Sequence, residues 1–350
     1  MIKPRTVKSA KKAKSVKKLK IVCIGGGNLV PKVLLEPLKN YPFQLTGITS
    51  MVDSGGAGSI FRKQFDVLPP GDIRRHVLAL SSAPEWKKKL WTFRFGEEFF
   101  GTWHKGQSFG NAFIAGLEWN LKSHKKAMAI VSEFMELGDN RALPMIVDKT
   151  NILAELENGS IIEGEQEIEL AGNHDTNLKI KKLLQKPESK MFPESKKAIL
   201  EADLIIIGPG DLYSSTVPCF LAVDAPAVFK KAKGKKVLIS NTISRKGETH
   251  GFSVGGFAAE VEKYMGSALD YVLYHDKPID AVSMAGYAKS EEMDCEPFII
   301  EADLDRRKFI GADILKKGEF AYDSKKVISN IFKLANYRQV RAKLSPGVRL

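Results

Sequence analysis

The chain is poor in cysteine. Its 350 residues hold three, Cys23, Cys219 and Cys295, far apart and with no CxxC pair. A disulfide framework and a thiolate zinc site are therefore not expected, and the thiols read as reduced, mostly core groups of a cytosolic protein. The six histidines show no ligand spacing, with His104 and His275 read as structural, and neither HExxH nor GxxxxGKS/T occurs. That excludes a zincin helix and a Walker-type phosphate loop. GxSxG occurs as GQSFG (Gly106 to Gly110) and GFSVG (Gly251 to Gly255), but no strand runs straight into either serine, as a nucleophile elbow requires. Long apolar runs are missing too. The first, Ile21 to Ile24, stops at Gly25, too short for a signal-peptide core or a membrane span. Acid is missing from both ends: residues 1–20 hold nine Lys/Arg, residues 325–350 hold seven, and neither stretch has an Asp or Glu. With the net +13 concentrated there, residues 21–324 carry only −3. A basic nucleic-acid groove on the folded body is not expected, and residues 1–19 and 325–350 read as basic tails.

What is present is the alternation of an α/β fold. Ile21 to Ile24 is a short buried-strand run, followed by Gly25, Gly26 and Gly27, Asn28 as a cap, and Pro31 in the first helical turn. A second strand spans Phe43 to Val52 and ends at Asp53. Helices are predicted at about 72–82, 110–122, 194–201, 217–232 and 255–265. Period-2 runs flank Asn158-Gly159, the pattern of a hairpin inserted at about 151–170. The lysine-rich stretch from Gly172 to Ser195 reads as a surface loop or broken helix. Strand-like runs return in ADLIIIGPGDLYSS, KKVLISNTISRKGET, LDYVLYH and EPFIIEADL, each read as a buried strand. The expectation is one Rossmann-like, three-layer α/β/α domain over residues 20–324, its sheet largely parallel, with a small β-hairpin insertion.

Ligands of such sheets bind beyond the carboxyl ends of the strands. After the first strand, Gly25, Gly26, Gly27 and Asn28 open a helix, as an anion cradle does, although the spacing is not GxGxxG and a tight turn would look the same. After a later strand come Gly208, Gly210, Asp211, Leu212, Tyr213 and Ser214 before another helix, a second cradle for phosphate or ribose. After the second strand, Asp53, Gly55 and Gly56 precede Arg62, with Asp53 placed for a ribose or for Mg²⁺. In LPPGDIRR, Asp72 caps a helix, and Arg74 and Arg75 fall in its first turn, where the dipole disfavours cations. Such arginines either snorkel to water or meet an anion. Ser108 and Asn111 start another helix, as caps or as ligand contacts, and Asn241, Arg245 and Glu248 crowd the end of a late strand.

In order, the blocks IGGGNLVPKVL, DSGGAGSIFRKQFDVLPPGDIRR, SFGNAFIAGL, AELENGSIIEGE, ADLIIIGPGDLYSSTVP and NTISRKGETHGF run from about residue 20 to 275. Together they resemble the CofD/YvcK family, which includes 2-phospho-L-lactate transferase and the gluconeogenesis factors. The LPPGDIR block, the hairpin and GET look like the YvcK branch. That resemblance implies a cytosolic regulatory protein that binds UDP-sugars such as UDP-N-acetylglucosamine without a cofactor and is linked to carbon metabolism, cell shape and envelope synthesis. The CofD branch implies instead a transfer of a phospholactyl group to a deazaflavin with Mg²⁺, for which Asp53 and Asp211 would be the metal-binding or catalytic carboxylates. On either reading the GGGN and GPGDLY loops would hold a diphosphate, with Asn241 and Arg245 on the rim. An NAD-dependent oxidoreductase is a third reading, resting on Asp53 alone. The chain departs from the YvcK pattern at Ser54, where a second acid is usual, at Ile60, where an arginine is usual, and at His250, where an aspartate is usual. These departures favour binding over metal-dependent transfer. The oligomeric state is left open, a homo-oligomer included.

Overall fold

A computed structural model of the chain describes residues 18–52, 56–97, 106–169, 175–279, 281–290 and 294–335. Both expected tails lie largely outside them. The chain starts with β1 (Leu19–Ile24), then helix α1, a π-helical stretch Val30–Leu35 continued by Glu36–Leu38, then β2 (Phe43–Thr49). Helices α2 (Gly56–Phe65), α3 (Gly71–Leu80), α4 (Glu85–Thr92), α5 (Phe109–Leu121) and α6 (His124–Phe134) precede β3 (Arg141–Pro144). Next come β4 (Asn151–Leu156), β5 (Ile161–Glu163), α7 (Glu165–Glu169), β6 (Ile180–Lys186) and α8 (Pro193–Glu201). β7 (Leu204–Ile207) leads through the helical turns Leu212–Thr216 and Val217–Phe220 to α9 (Ala225–Lys231), β8 (Lys235–Ile239) and β9 (Ile243–Arg245). α10 (Val254–Met265), β10 (Tyr271–His275), α11 (Ala281–Ser290), β11 (Cys295–Pro297), β12 (Phe309–Ala312) and α12 (Ser324–Leu334) complete the described chain.

Seven strands form one sheet in the order β12-β10-β8-β7-β1-β2-β3, every pairing parallel. Its central strands are apolar on both faces because both faces are covered. Val22, Ile24, Ile205 and Ile207 point into one core, with Phe229 and Phe257 from the helices on that side. Ile21, Cys23, Leu204 and Ile206 point into the other, with Leu34, Val77, Trp91 and Ile328. The three-layer α/β/α fold expected from the sequence is the fold observed. Cys23 and Cys219 are buried free thiols, and burial pushes Cys219 up to about 12, which leaves it unreactive. Among the described residues, no single helix is long and apolar enough to cross a membrane.

Five local expectations change. The 151–170 hairpin forms, but β4 also pairs with β6, so the insertion is a three-stranded sheet that reaches residue 186. The lysine-rich stretch read as loop therefore holds a strand, with Ile180 and Leu183 buried under exposed lysines. EPFIIEADL is not a buried strand: Cys295–Pro297 pairs with β9 in a two-stranded ribbon, and Ile299 and Ile300 are exposed. The helix expected over 217–232 breaks, Val217–Phe220 being 3₁₀ and α9 starting at Ala225. Lastly, the region read as a tail from residue 325 begins with α12, whose Val327, Ile328, Ile331 and Phe332 pack into the core.

Candidate functional site

The sheet order reverses between β1 and β7: the chain steps from β1 to β2 and β3 on one side, and from β7 to β8, β10 and β12 on the other. At such a switch point the two following loops part and leave a crevice at the carboxyl ends of the strands. The loops there are Gly25 to Asn28 and Gly208 to Ser215, the two glycine-rich stretches singled out by the sequence. They meet closely. A Cβ on Gly25 would lie 3.8 Å from Gly208 Cα, and Gly25 has φ of +145°, a conformation residues with side chains rarely adopt.

The first loop is held by Asp72. Its Oδ2 accepts the Gly27 amide (3.0 Å) and the Thr49 hydroxyl (3.2 Å), while Oδ1 pairs with Arg75 Nη1 at 2.5 Å. Gly26 is what allows this approach, since a Cβ there would sit 2.4 Å from Asp72 Oδ2. Asp72 thus does not cap α3 as expected. Pro70 occupies the cap position, and Asp72 lies inside the first turn and reaches across to the loop. Asn28 is no side-chain cap either: Leu29 is the cap residue of α1, and Asn28 contributes its carbonyl to Lys32 N–H.

The second loop is held in a similar way. Gly210 N–H donates to Asn241 Oδ1 (3.2 Å) and Tyr213 N–H to Glu248 Oε1 (2.7 Å). Asp211 pairs with Arg245 at 2.5 Å, and Glu248 lies 3.9 Å from the same guanidinium. Leu212 is buried, and Ser214 Oγ is buried without a hydrogen-bond partner. Asp211 and Arg245, expected to face a ligand, therefore engage each other. Each cradle already carries an internal acceptor on one of its amides, which fixes its shape.

The arginine pair separates into two roles. Arg75 is neutralised by Asp72, one helical turn away. Arg74 is 7% exposed, its Nε has no partner, and its Cδ lies 2.9 Å from where a Gly110 Cβ would stand. Burial, then the nearby charges of Arg75 and Arg94, push its pKa down to about 10, so it remains a cation at neutral pH. Beside it on the first turn of α5, Asn111 is 5% exposed and its Oδ1 is likewise unpartnered. Ser108 is the N-cap of α5, accepting the Asn111 N–H at 3.2 Å. A buried guanidinium with an unbonded Nε is costly, and the charge of Asp72 offsets only part of that cost. Arg74 follows Asp72 by two residues, so the two side chains leave different faces of α3, Asp72 toward the glycine loop and Arg74 against α5.

Other expected residues fall elsewhere. Arg62 donates to Thr150 O (2.7 Å) and Asn151 Oδ1 (2.8 Å), tying α2 to the start of β4. Asp53 and Gly55 lie outside the described residues, and Gly56 begins α2. Thr49 was not picked out from the sequence, whereas Glu248 was noted beside Asn241 and Arg245 without a ligand role. Thr49 carries no local signal, whereas Glu248 sits in the GET block already noted.

Glu248 is 4% exposed, and burial, then the charge of Asp211, push its carboxyl up to about 7. Its ordinary value is 4.5, so between pH 4.5 and 7 the folded state holds a proton that the unfolded chain releases, and this group makes stability fall as pH rises. His76 and His275 act in the opposite sense. Burial lowers both from 6.5, so their contribution is lost as pH falls below that value. Glu248→Gln removes the first effect and keeps the acceptor for Tyr213. Urea denaturation of this variant is expected to show stability rising from pH 5 to 7 more steeply than in the wild type, and parallel profiles would refute the assignment.

The family profile described as "2-phospho-L-lactate transferase CofD" matches residues 21–316. The gluconeogenesis factor of Halalkalibacterium halodurans is 32% identical over 288 residues, covering 82% of this chain and 85% of that protein. The gluconeogenesis factor of Listeria innocua is 34% identical over 252 residues, covering 72% and 75%. A crystal structure of a Bacillus halodurans protein is 30% identical and superposes with a TM-score of 0.81 over 90% of this chain and all (100%) of that one.

Proposed function

The chain belongs to the CofD family and is similar to its gluconeogenesis factors, and on that premise we propose that it is a cytoplasmic regulatory protein that binds a nucleotide-diphosphate sugar. UDP-N-acetylglucosamine is the representative ligand, and the regulated processes are carbon metabolism, cell shape and envelope synthesis. The observation that carries this reading is the crevice where two glycine loops meet at the switch point of the sheet, with the buried Arg74, its Nε unbonded, on the first turn of α3 beside the loop-holding Asp72. A diphosphate in that crevice is the kind of group that would repay the desolvation of Arg74, because charge-assisted hydrogen bonds are strongest where water is excluded. The glycine loops supply close backbone approach, and Asn241 and Arg245 line the rim while holding the loop after β7 in place.

The transferase reading would place Mg²⁺ on Asp53 and Asp211, of which Asp53 lies outside the described residues. Asp211 gives its carboxylate to Arg245, and no group of three or more His, Cys, Asp or Glu side chains among the described residues could hold a metal. No step is assigned through a metal here.

Isothermal titration of UDP-N-acetylglucosamine into the full chain is the direct test, with a single-site binding heat expected without added cation. In a thermal melt, ligand at 100 times Kd is expected to add about 2.7 kcal/mol of stability. A folded protein that gives neither heat nor shift would defeat the proposal.

A further inference from the structure

A second cavity, of about 630 Å³, lies at the C-terminal end of α2, around Gln64 and Phe65. Its volume falls within the usual range of small-molecule pockets, about 300–1,000 Å³. The walls combine exposed aromatic rings with cations. Phe65 and Trp119 are 38% and 51% exposed and meet edge to face at 6.3 Å. Lys122 Nζ lies 4.8 Å over the Trp119 ring. Lys125 and Lys149 line the same space, held only by surface ion pairs to Glu194 and Asp66. Such pairs are worth little and are readily exchanged for another anion.

Two further features distinguish this cavity from a surface dent. The N-terminus of α6 opens into it, with Ser123, His124 and Lys125 all on its wall. The His124 side chain is 5% exposed; its Nδ1 meets Glu118 Oε2 at 2.7 Å, and its Nε2 has no partner. With Nδ1 engaged by the carboxylate, Nε2 is the ring nitrogen left for a polar group of a ligand. Asp66 and Lys122, two of the three described non-glycine residues with positive φ, also lie on this wall.

We propose that this cavity is a second ligand site, for a planar aromatic molecule that carries one phosphate or carboxylate. The aromatic body stacks on Trp119 against Phe65. The anion meets the α6 N-terminus with Lys125 and Lys149, and a polar group on the ring reaches His124. Adenosine monophosphate has all three groups and is the probe. It is titrated into the full chain with UDP-N-acetylglucosamine present at millimolar concentration, and followed by tryptophan fluorescence and calorimetry. Quenching and a single-site heat are expected, both weakened at least tenfold in Trp119→Leu and in Lys125→Glu, whose side chain is 73% exposed. The absence of quenching and heat, their loss to competition by the nucleotide sugar, or equal binding by both variants would overturn the proposal. A blank nucleotide-sugar titration alongside intact adenosine monophosphate binding would instead sink the reading of the crevice alone.

Discussion

Arg74→Met is expected to raise the melting temperature of the ligand-free protein while weakening UDP-N-acetylglucosamine binding about 100-fold. The two effects have one cause. The guanidinium is buried with no partner at Nε, so the folded ligand-free state bears most of its desolvation, offset only in part by the charge of Asp72. Methionine has a similar length and can pack against Gly110 and Trp91, which already contact this side chain or flank it. Replacing buried charged groups by apolar ones of similar volume commonly stabilises by about 1–4 kcal/mol. Removing one partner of a buried charge pair at an interface costs about 2–5 kcal/mol, and about 2.7 kcal/mol is a hundredfold in affinity. Differential scanning fluorimetry and calorimetry on one preparation read both numbers. A variant that melts lower and binds normally would make Arg74 a structural residue and remove its support for the crevice as an anion site.

Asp72→Ala is expected to have the largest cost to stability, about 2–5 kcal/mol, because each buried donor left without its acceptor costs about 1–3 kcal/mol and the part-buried Arg75 loses its pair as well. Three donors lose their acceptor at once: the Gly27 amide, the Thr49 hydroxyl and Arg75. Asp72→Asn keeps an oxygen for the first two and gives up the attraction for Arg75, so it should fall about midway. Urea midpoints at constant m-value measure both. Losses below about 1 kcal/mol in Asp72→Ala would mean that the loop holds its shape without this carboxylate.

The layers and the crevice were legible in the sequence because their causes are local. Apolar strand runs such as LIII and the glycines behind them state burial on both faces and a sharp turn within a few residues. Asp72 was misread for the complementary reason. Its local setting is that of a helix cap, while its partners Gly27 and Thr49 lie 45 and 23 residues away. Arg74 and Arg75 look alike in sequence, and only packing against α5 separates the buried one from the paired one. β6 was hidden because IKKLLQK buries positions 1, 4 and 6 of its seven, an alternation disturbed by the irregular register opposite Glu155 and Leu156. The stretch after Glu296 misled in the other direction: β-branched residues gave a strand-like run, yet Ile299 makes only an isolated bridge to Ser253 and both isoleucines are exposed.

The internal acceptors on Gly27 and Tyr213 also bear on time. Loops that are clamped by Asp72 and Glu248 before any ligand arrives have little to rearrange when one does. Association should then run at the ordinary rate for a ready-made pocket, about 10⁵–10⁷ M⁻¹s⁻¹, with no slow ordering step. Under the proposed function, such a protein would follow a falling ligand level only as fast as it lets the bound molecule go, so its memory would reside in the off-rate.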